Sequence, residues 1–406
     1  GSGLSGRAAQ SLAHARGFEA TLYDEADTGD SGSFDLHCLE KFDRFVFSPG
    51  FAAQHPWRQL VEDSGKRIQS ELSFAAEFWK GRIIGVTGTN GKTTLTRFLA
   101  EALVSVGKLA VAAGNIGQPL SSLVLDTGNS NNAIAVCEIS SFQAELTDGL
   151  ELDALLWTNF AEDHLDRYNN MMDYFLAKAS LLDCLRKDAI CVFGPQVVQW
   201  FDHFSKPIGQ AVVSVDGNKL LERLSPGSAL SRRPFCENFT LTAEYWRLAG
   251  EPEDVLIEAA NRFSLAPHRL DVVTEKNGVT YWNDSKSTNF HSTMAAVQAV
   301  PRPIYWIGGG KLKGGELDAF AEKLSEKIDA AIIYGEAAPP MSEALRNRLE
   351  IVQSIPVFEH AVAVATQLAS ANTPANVLLS PGFSSFDQFE SYEARGKTFN
   401  SLVLGL

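Results

Sequence analysis

At 406 residues, with 45% apolar and 21% charged residues, the chain is too long for one hydrophobic core and predicts two or three globular domains. A formal charge of −14 leaves no basic excess, which argues against nucleic acid or an anionic membrane as partner, so an anionic substrate must be held by local features. Cys38, Cys137, Cys184, Cys191 and Cys236 lack CxxC or metal spacing and read as reduced thiols. No apolar run approaches the ~18 residues that span a bilayer, which predicts a cytoplasmic protein without membrane insertion.

The chain opens on Gly1-x-Gly3-x-x-Gly6, a turn that ordinarily follows a buried strand, so a strand is expected to precede it. A helix over 7–16, a strand over 20–23 and the apolar Phe45-Val46-Phe47 before Ser48-Pro49-Gly50 predict a small α/β domain over 1–79. Asp24 beyond the glycines suits a dinucleotide fold or a plain tight turn, and is read as part of an anion-holding turn. Apolar runs at 83–86, 109–112, 133–137 and 154–157, separated by helical spacing, predict a mainly parallel sheet in a domain over 80–266. The more polar stretch 195–236 breaks that rhythm, and helices over 241–248 and 252–263 lead to Pro267. Strands over 278–282, 303–307, 330–334 and 377–379 then predict a third α/β domain over 267–406.

Between the strand at 83–86 and a helix beginning near Thr94 lies Gly85-Val86-Thr87-Gly88-Thr89-Asn90-Gly91-Lys92-Thr93-Thr94. This has the parts of a phosphate loop: glycines let backbone N–H groups face phosphate oxygens, Lys92 reaches the outer phosphates and Thr93 can ligate Mg²⁺. Val86 stands where the strict pattern has its first glycine.

Glu138 ends the apolar run 133–137 and sits where open α/β sheets place ligands. In the following Ser140-Ser141-Phe142-Gln143, the serines could equally start a helix through a capping box. Thr158-Asn159-Phe160-Ala161-Glu162-Asp163-His164-Leu165-Asp166 gathers carboxylates and an imidazole after another strand, fit for Mg²⁺ or for a solvated helix start. Lys178 alone reads as an ordinary surface lysine on a helix. In the last domain Arg269 could clamp phosphate, and Lys286, in Asn283-Asp284-Ser285-Lys286, could neutralise developing charge. Ser380-Pro381-Gly382-Phe383-Ser384-Ser385-Phe386-Asp387-Gln388-Phe389 follows an apolar run and could be a plain turn-to-helix start.

In this order, the motifs resemble the Mur ligases along nearly the whole chain. The Gly88-Thr89-Asn90-Gly91-Lys92-Thr93 loop is shared with folylpolyglutamate synthases, whereas the motifs at 138–143, 283–286 and 380–389 resemble the D-glutamate-adding branch. The resemblance implies three domains: a Rossmann-like one for the UDP end, a P-loop ATPase, and a Rossmann-like one that closes to bring the amino acid. It implies that Gly88, Thr89, Asn90, Gly91, Lys92, Thr93, Thr94, Asn238, Arg269 and Asp284 serve ATP. Ser5, Asp24, Asn115, Ser140 and Gln143 would serve UDP-N-acetylmuramoyl-L-alanine, and Lys313, Ser385 and Tyr392 would receive D-glutamate. Lys92, Glu138, His164, Lys178 and Lys286 take the catalytic positions, with Mg²⁺ held by Thr93, Glu138, His164 and, where carbamylated, Lys178. A monomer is expected from the resemblance alone.

Three departures stand out. Leu241 replaces the second asparagine of a motif near adenine, Tyr392 replaces the commoner phenylalanine, and Lys311 and Lys313 compete for one role, for which Lys313 is favoured. The reaction implied is attack of the L-alanyl carboxylate on the γ-phosphate of ATP, then of the D-glutamate amine on the acyl phosphate. Rival readings are a ligase for another amino acid, a folylpolyglutamate synthase, a non-catalytic ATP-binding regulator and a nicotinamide enzyme.

Overall fold

The computed structural model describes every residue except 27, 127, 208–211, 215–218 and 313, with backbone alone over 212–214. The chain is α/β and forms two compact units: Gly1–Phe160 with Asn170–Ser231 and Phe235–Phe263, and Ala161–Asn169 with Arg232–Pro234 and Ser264–Leu406.

In the first unit, β1 (Arg44–Phe47) and β2 (Arg67–Ser70) pair in parallel over a cluster of Leu39, Phe45, Phe47, Val61 and Leu146. The expected helix over 7–16 forms as Leu4–Ala15. The expected strand over 20–23 does not form, and Tyr23 makes only an isolated bridge to Ser31. Its backbone is consumed locally: Leu22 N donates to Asp30 Oδ2 at 2.7 Å and Ser31 N donates to Leu22 O at 3.2 Å, so a tight return replaces a ladder.

Six further strands complete the first unit: β3 (Arg82–Thr87), β4 (Leu109–Gly114), β5 (Ala133–Glu138), β6 (Leu152–Trp157), β7 (Leu185–Phe193) and β8 (Val212–Ser214). They pair in parallel in the order β4-β5-β3-β6-β7-β8. Every residue of β5 is buried, as expected of an apolar run covered on both faces. β7 is not apolar throughout, because it enters through exposed Arg186, Lys187 and Asp188 and only Cys191–Phe193 is buried. Helix Lys92–Ser105 begins two residues before Thr94, and Cys236–Leu248 begins five before Leu241.

The second unit holds β9 (Asp271–Lys276), β10 (Val279–Asn283), β11 (Ile304–Gly309), β12 (Ala330–Tyr334), β13 (Ile351–Ile355) and β14 (Ala375–Gly382) in the order β13-β12-β11-β14-β10-β9. Only β9 runs antiparallel to its neighbour. Tyr281, Ile307, Ile332 and Leu379 pack with Phe358 and Phe399 on one face. The two edge strands were not legible in the sequence, since neither contains a fully buried run. Among the described residues no helix is long and apolar enough to cross a membrane, and all five cysteines are free.

Candidate active site

The loop leaving β3 is shaped by two glycines. Gly88 has φ +137°, and a Cβ there would stand 2.0 Å from Thr158 Oγ1; Gly91 has φ +86°, with a Cβ 2.7 Å from Asn238 Oδ1. Any side chain would have to displace those polar atoms and adopt a backbone region that L-residues avoid. The end of β6 pins the loop. Thr89 N donates to Asn159 O at 3.0 Å and Asn90 N to Asn159 Oδ1 at 2.9 Å, while Asn159 Nδ2 and Thr158 Oγ1 donate to Asn90 O at 3.1 and 2.6 Å. In the sequence Thr158 and Asn159 head an acidic cluster; in the structure they anchor the phosphate loop. Gly91 gives helix Lys92–Ser105 no side-chain cap, so first-turn N–H groups around Thr93 and Thr94 remain for an anion.

Two lysines converge on this loop. Lys92 Nζ donates to Gly88 O at 3.0 Å and Thr89 O at 2.8 Å, and Lys178 Nζ donates to Gly88 O at 2.9 Å. Lys178 is not a surface residue, being 1% exposed. Helix Met171–Ala179 turns Tyr174, Phe175 and Lys178 inward together, as a spacing of four allows. The ammonium lies 4.9 Å from the Tyr174 ring centre, and the Tyr174 hydroxyl meets Thr89 Oγ1 at 3.2 Å. Desolvating a cation costs several kcal/mol, so this inward turn points to a role at the loop.

Glu138 closes β5 and is 3% exposed. Its Oε1 accepts from Asn115 Nδ2 at 2.9 Å, whereas its buried Oε2 has no hydrogen-bond partner among the described residues. An orphaned carboxylate oxygen is the donor a hard cation takes, and with the Thr93 hydroxyl it fits Mg²⁺ chemically. No cluster of three His, Cys, Asp or Glu side chains able to hold a metal occurs among the described residues. Ser140, rather than Ser141, forms the capping box: its Oγ accepts from Gln143 N at 3.2 Å, and Gln143 Oε1 accepts from Ser140 N at 3.0 Å and Oγ at 3.1 Å. This leaves the Gln143 amide nitrogen for another acceptor.

Ser5 is partly exposed in the first turn of helix Leu4–Ala15. The Asp24 carboxylate accepts from Ser2 N at 2.5 Å and Ala26 N at 2.9 Å, and these bonds hold its pKa down to about 2. Asp24 thus fastens the glycine turn. Asn238 is buried on helix Cys236–Leu248 against Gly91, and Leu241 is buried in the same helix.

The remaining residues belong to the second unit. His164 takes φ +56°, its N–H accepted by Asp163 Oδ1 at 3.0 Å, while Asp163 Oδ2 accepts from Asn289 Nδ2 at 2.9 Å. Glu162, whose pKa burial raises, accepts from Glu316 N at 3.1 Å. Together with Phe290, Gly315 and Phe383 they line a small depression. Arg269 is presented by a turn in which His268 and Leu270 take φ +64° and +54°, held by Asp271 Oδ2 on His268 N at 2.6 Å and Asp284 Oδ1 on Leu270 N at 3.1 Å. Lys286 Nζ lies 3.7 Å from the Tyr392 ring centre. Ser385 is buried just past β14. Arg269, Asp284, Lys286, Ser385 and Tyr392 thus share one unit, with the 283–289 and 383–391 loops leaving the carboxyl ends of β10 and β14. Lys313 lies outside the described residues, and Lys311 is exposed, with its backbone paired to Ser384.

Asp284 Oδ2 accepts from Ser287 Oγ at 2.5 Å and Ser380 Oγ at 2.8 Å, yet burial pushes its pKa from 3.8 up to about 7. A raised pKa means the folded state holds this proton more tightly, so the stability it contributes is present below pH ~4 and lost as pH rises through ~7. The stability advantage of the wild type over Asp284→Asn is expected to shrink by roughly 2–3 kcal/mol between pH 5 and pH 8. Urea midpoints at both pH values check this; a pH-independent difference would place the buried proton elsewhere.

The Mur ligase middle domain matches residues 86–242, and the Mur ligase glutamate ligase domain matches residues 268–382. The chain is 34% identical over 386 residues to UDP-N-acetylmuramoylalanine–D-glutamate ligase of Solibacter usitatus, covering 91% of this chain and 86% of that relative. It is 30% identical over 444 residues to the protein of the same name from Lachnospira eligens, covering 100% of this chain and 98% of the relative. In fold it is similar to MurF from Acinetobacter baumannii, with a TM-score of 0.63 at 12% identity over 99% of this chain and 98% of that one. Folylpolyglutamate synthase of Mycobacterium tuberculosis, solved with ADP and AMPPCP, gives a TM-score of 0.61 at 14% identity over 80% of this chain and 92% of that one. The motif order along the sequence, the pinned phosphate loop and the full-length similarity agree: the chain belongs to the Mur ligase family.

Proposed function

We propose that this chain is the ATP-dependent ligase that joins D-glutamate to UDP-N-acetylmuramoyl-L-alanine during peptidoglycan precursor synthesis. The observation that carries the ATP half is the phosphate loop whose Gly88 carbonyl receives both Lys92 and the buried Lys178. The name carried by relatives matched along their whole length supports the choice of acceptor and amino acid.

A carboxylate is a poor electrophile, and oxide is a poor leaving group. The L-alanyl carboxylate oxygen therefore attacks the γ-phosphorus of ATP and the bond to ADP breaks. The amine of D-glutamate then attacks the acyl carbon, phosphate leaves, and the nitrogen gives up a proton. The backbone around Gly88–Thr94 cradles the phosphates, Lys92 offsets their charge and Asn238 braces the loop at Gly91. Mg²⁺, for which Glu138 and Thr93 are fitting donors, would neutralise phosphate charge when bound. His164 and Lys178 are proposed as further ligands, the lysine as its carbamate.

Ser5, Asp24, Asn115, Ser140 and Gln143 receive the UDP substrate in this reading, and residues 1–79 form its domain. Residues 80–266 form the ATP domain, although Arg269 and Asp284 of 267–406 also serve the nucleotide. Lys313, Ser385 and Tyr392 receive the amino acid, and Lys286 offsets the charge of the tetrahedral species. The protein is placed in the cytoplasm as a monomer, beside its ATP supply. Phosphate release with ATP, Mg²⁺ and UDP-N-acetylmuramoyl-L-alanine, offered D-glutamate, L-glutamate, L-lysine and meso-diaminopimelate separately, tests the reading. Release and a new amide with D-glutamate alone are expected; turnover with another amino acid only would overturn the substrate, and ATP binding without amide formation would overturn the reaction. Carbon-13 NMR of the same protein in labelled bicarbonate reads the Lys178 carbamate.

A further inference from the structure

Arg395, in the first turns of helix Tyr392–Leu404, is 0% exposed. Its Nε donates to Ser285 Oγ at 2.9 Å, Nη2 to Ser285 O at 2.8 Å, and Nη1 to Tyr334 OH at 3.0 Å and Phe383 O at 3.2 Å. Every acceptor is neutral. A buried guanidinium without a hydrogen-bonded carboxylate is costly, and an apolar side chain of similar volume would pack at lower cost. The charge therefore invites a functional explanation.

Its partners lie where that explanation would have to be. Ser285 stands between Asp284 and Lys286, Phe383 stands two residues before Ser385, and Tyr334 ends β12. A Cβ on Gly310, just past β11, would sit 3.3 Å from Nη1. One side chain thus joins the carboxyl ends of β10, β12 and β14 and lies beside the backbone that leaves β11, at the edge where open α/β sheets bind ligands. Asp387 senses this cation, but its own pKa is raised by burial, and its oxygens are engaged by Glu336 N at 3.2 Å and Gln388 N at 2.9 Å.

We propose that Arg395 is a positioning residue whose buried charge makes the amino-acid subsite selective for a net-anionic amino acid, by fixing the two substrate loops and holding a positive field beneath them. Being fully buried, it acts on the substrate without touching it. The inference rests on the D-glutamate ligase reading. In a site screened from water the field of a fixed charge persists over several ångströms, so glutamate, with one net negative charge, is favoured over neutral glutamine.

The test compares kcat and KM for D-glutamate, D-glutamine, ATP and the UDP substrate in the full chain and in Arg395→Gln, Arg395→Lys and Asp387→Asn. Arg395→Gln is expected to raise KM for D-glutamate about ten-fold while leaving the other two KM values within about two-fold, and to narrow the glutamate preference. Arg395→Lys keeps the charge and should keep the preference while lowering kcat. Asp387→Asn, which removes a carboxylate that feels the Arg395 charge, should widen the preference, an outcome readable even if Arg395→Gln fails to fold. A preference unchanged in Arg395→Gln, or unchanged in Asp387→Asn, overturns the proposal. A wild type inactive with D-glutamate overturns the ligase reading and this inference with it, whereas an active wild type with insensitive variants overturns this inference alone.

Discussion

Lys92→Met is expected to lower kcat for phosphate release by about 10³-fold while leaving the melting temperature close to that of the wild type. Methionine keeps the length and apolar stem of the lysine, so what is lost is the charge. In the structure that charge rests on the Gly88 and Thr89 carbonyls, from which an incoming phosphate would draw it. Removing one preorganised donor from a transition state that spreads negative charge over phosphoryl oxygens costs ~3–4 kcal/mol, which sets the size of the effect. KM for ATP should rise less than kcat falls, because the backbone N–H groups of the loop remain. Phosphate-release kinetics with thermal unfolding decide it: a variant within about ten-fold of wild type would mean that Lys178 or a metal carries the charge instead.

The central strands of the two six-stranded sheets were legible because buried strands read as continuous apolar runs, and the phosphate loop because its chemistry is local: glycines, a lysine and a helix start within ten residues. What stayed hidden depends on distant segments. Nothing near Lys178 in the sequence says that its helix turns that face inward, and nothing near Arg395 says that its neighbours are strand ends tens of residues away. Thr158 and Asn159 were visible as polar residues after a strand, but their grip on Asn90 is set by the pairing of β3 with β6. The strand expected over 20–23 shows the opposite error, since the apolar residues were there but Asp30 captured the backbone first. The serines at 140–141 had two readings, and the capping box that forms at Ser140 still leaves the Gln143 amide nitrogen for a ligand.

Gly88→Ala is expected to weaken ATP binding by about a hundred-fold or more, and two separate causes contribute. The φ of +137° lies in a region all but restricted to glycine, costing an alanine of order 1–3 kcal/mol. The new Cβ would also stand 2.0 Å from Thr158 Oγ1 and 3.1 Å from Asn159 O. That hydroxyl cannot swing aside freely, since it donates to Asn90 O at 2.6 Å and is within 3.3 Å of Thr87 O, so displacing it releases the anchor of the loop. The Gly88 carbonyl would move as well, and with it the seat shared by Lys92 and Lys178. The double variant Gly88→Ala with Thr158→Ala separates the causes. Thr158→Ala alone gives the cost of the lost anchor on Asn90 O; in that background Gly88→Ala meets no hydroxyl but keeps the backbone strain, so the affinity it further loses, measured by calorimetry, should be smaller than in the wild type. No further loss would mean that φ at position 88 costs nothing, and a further loss as large as in the wild type would mean that the collision was immaterial and the strained backbone alone shapes the phosphate site.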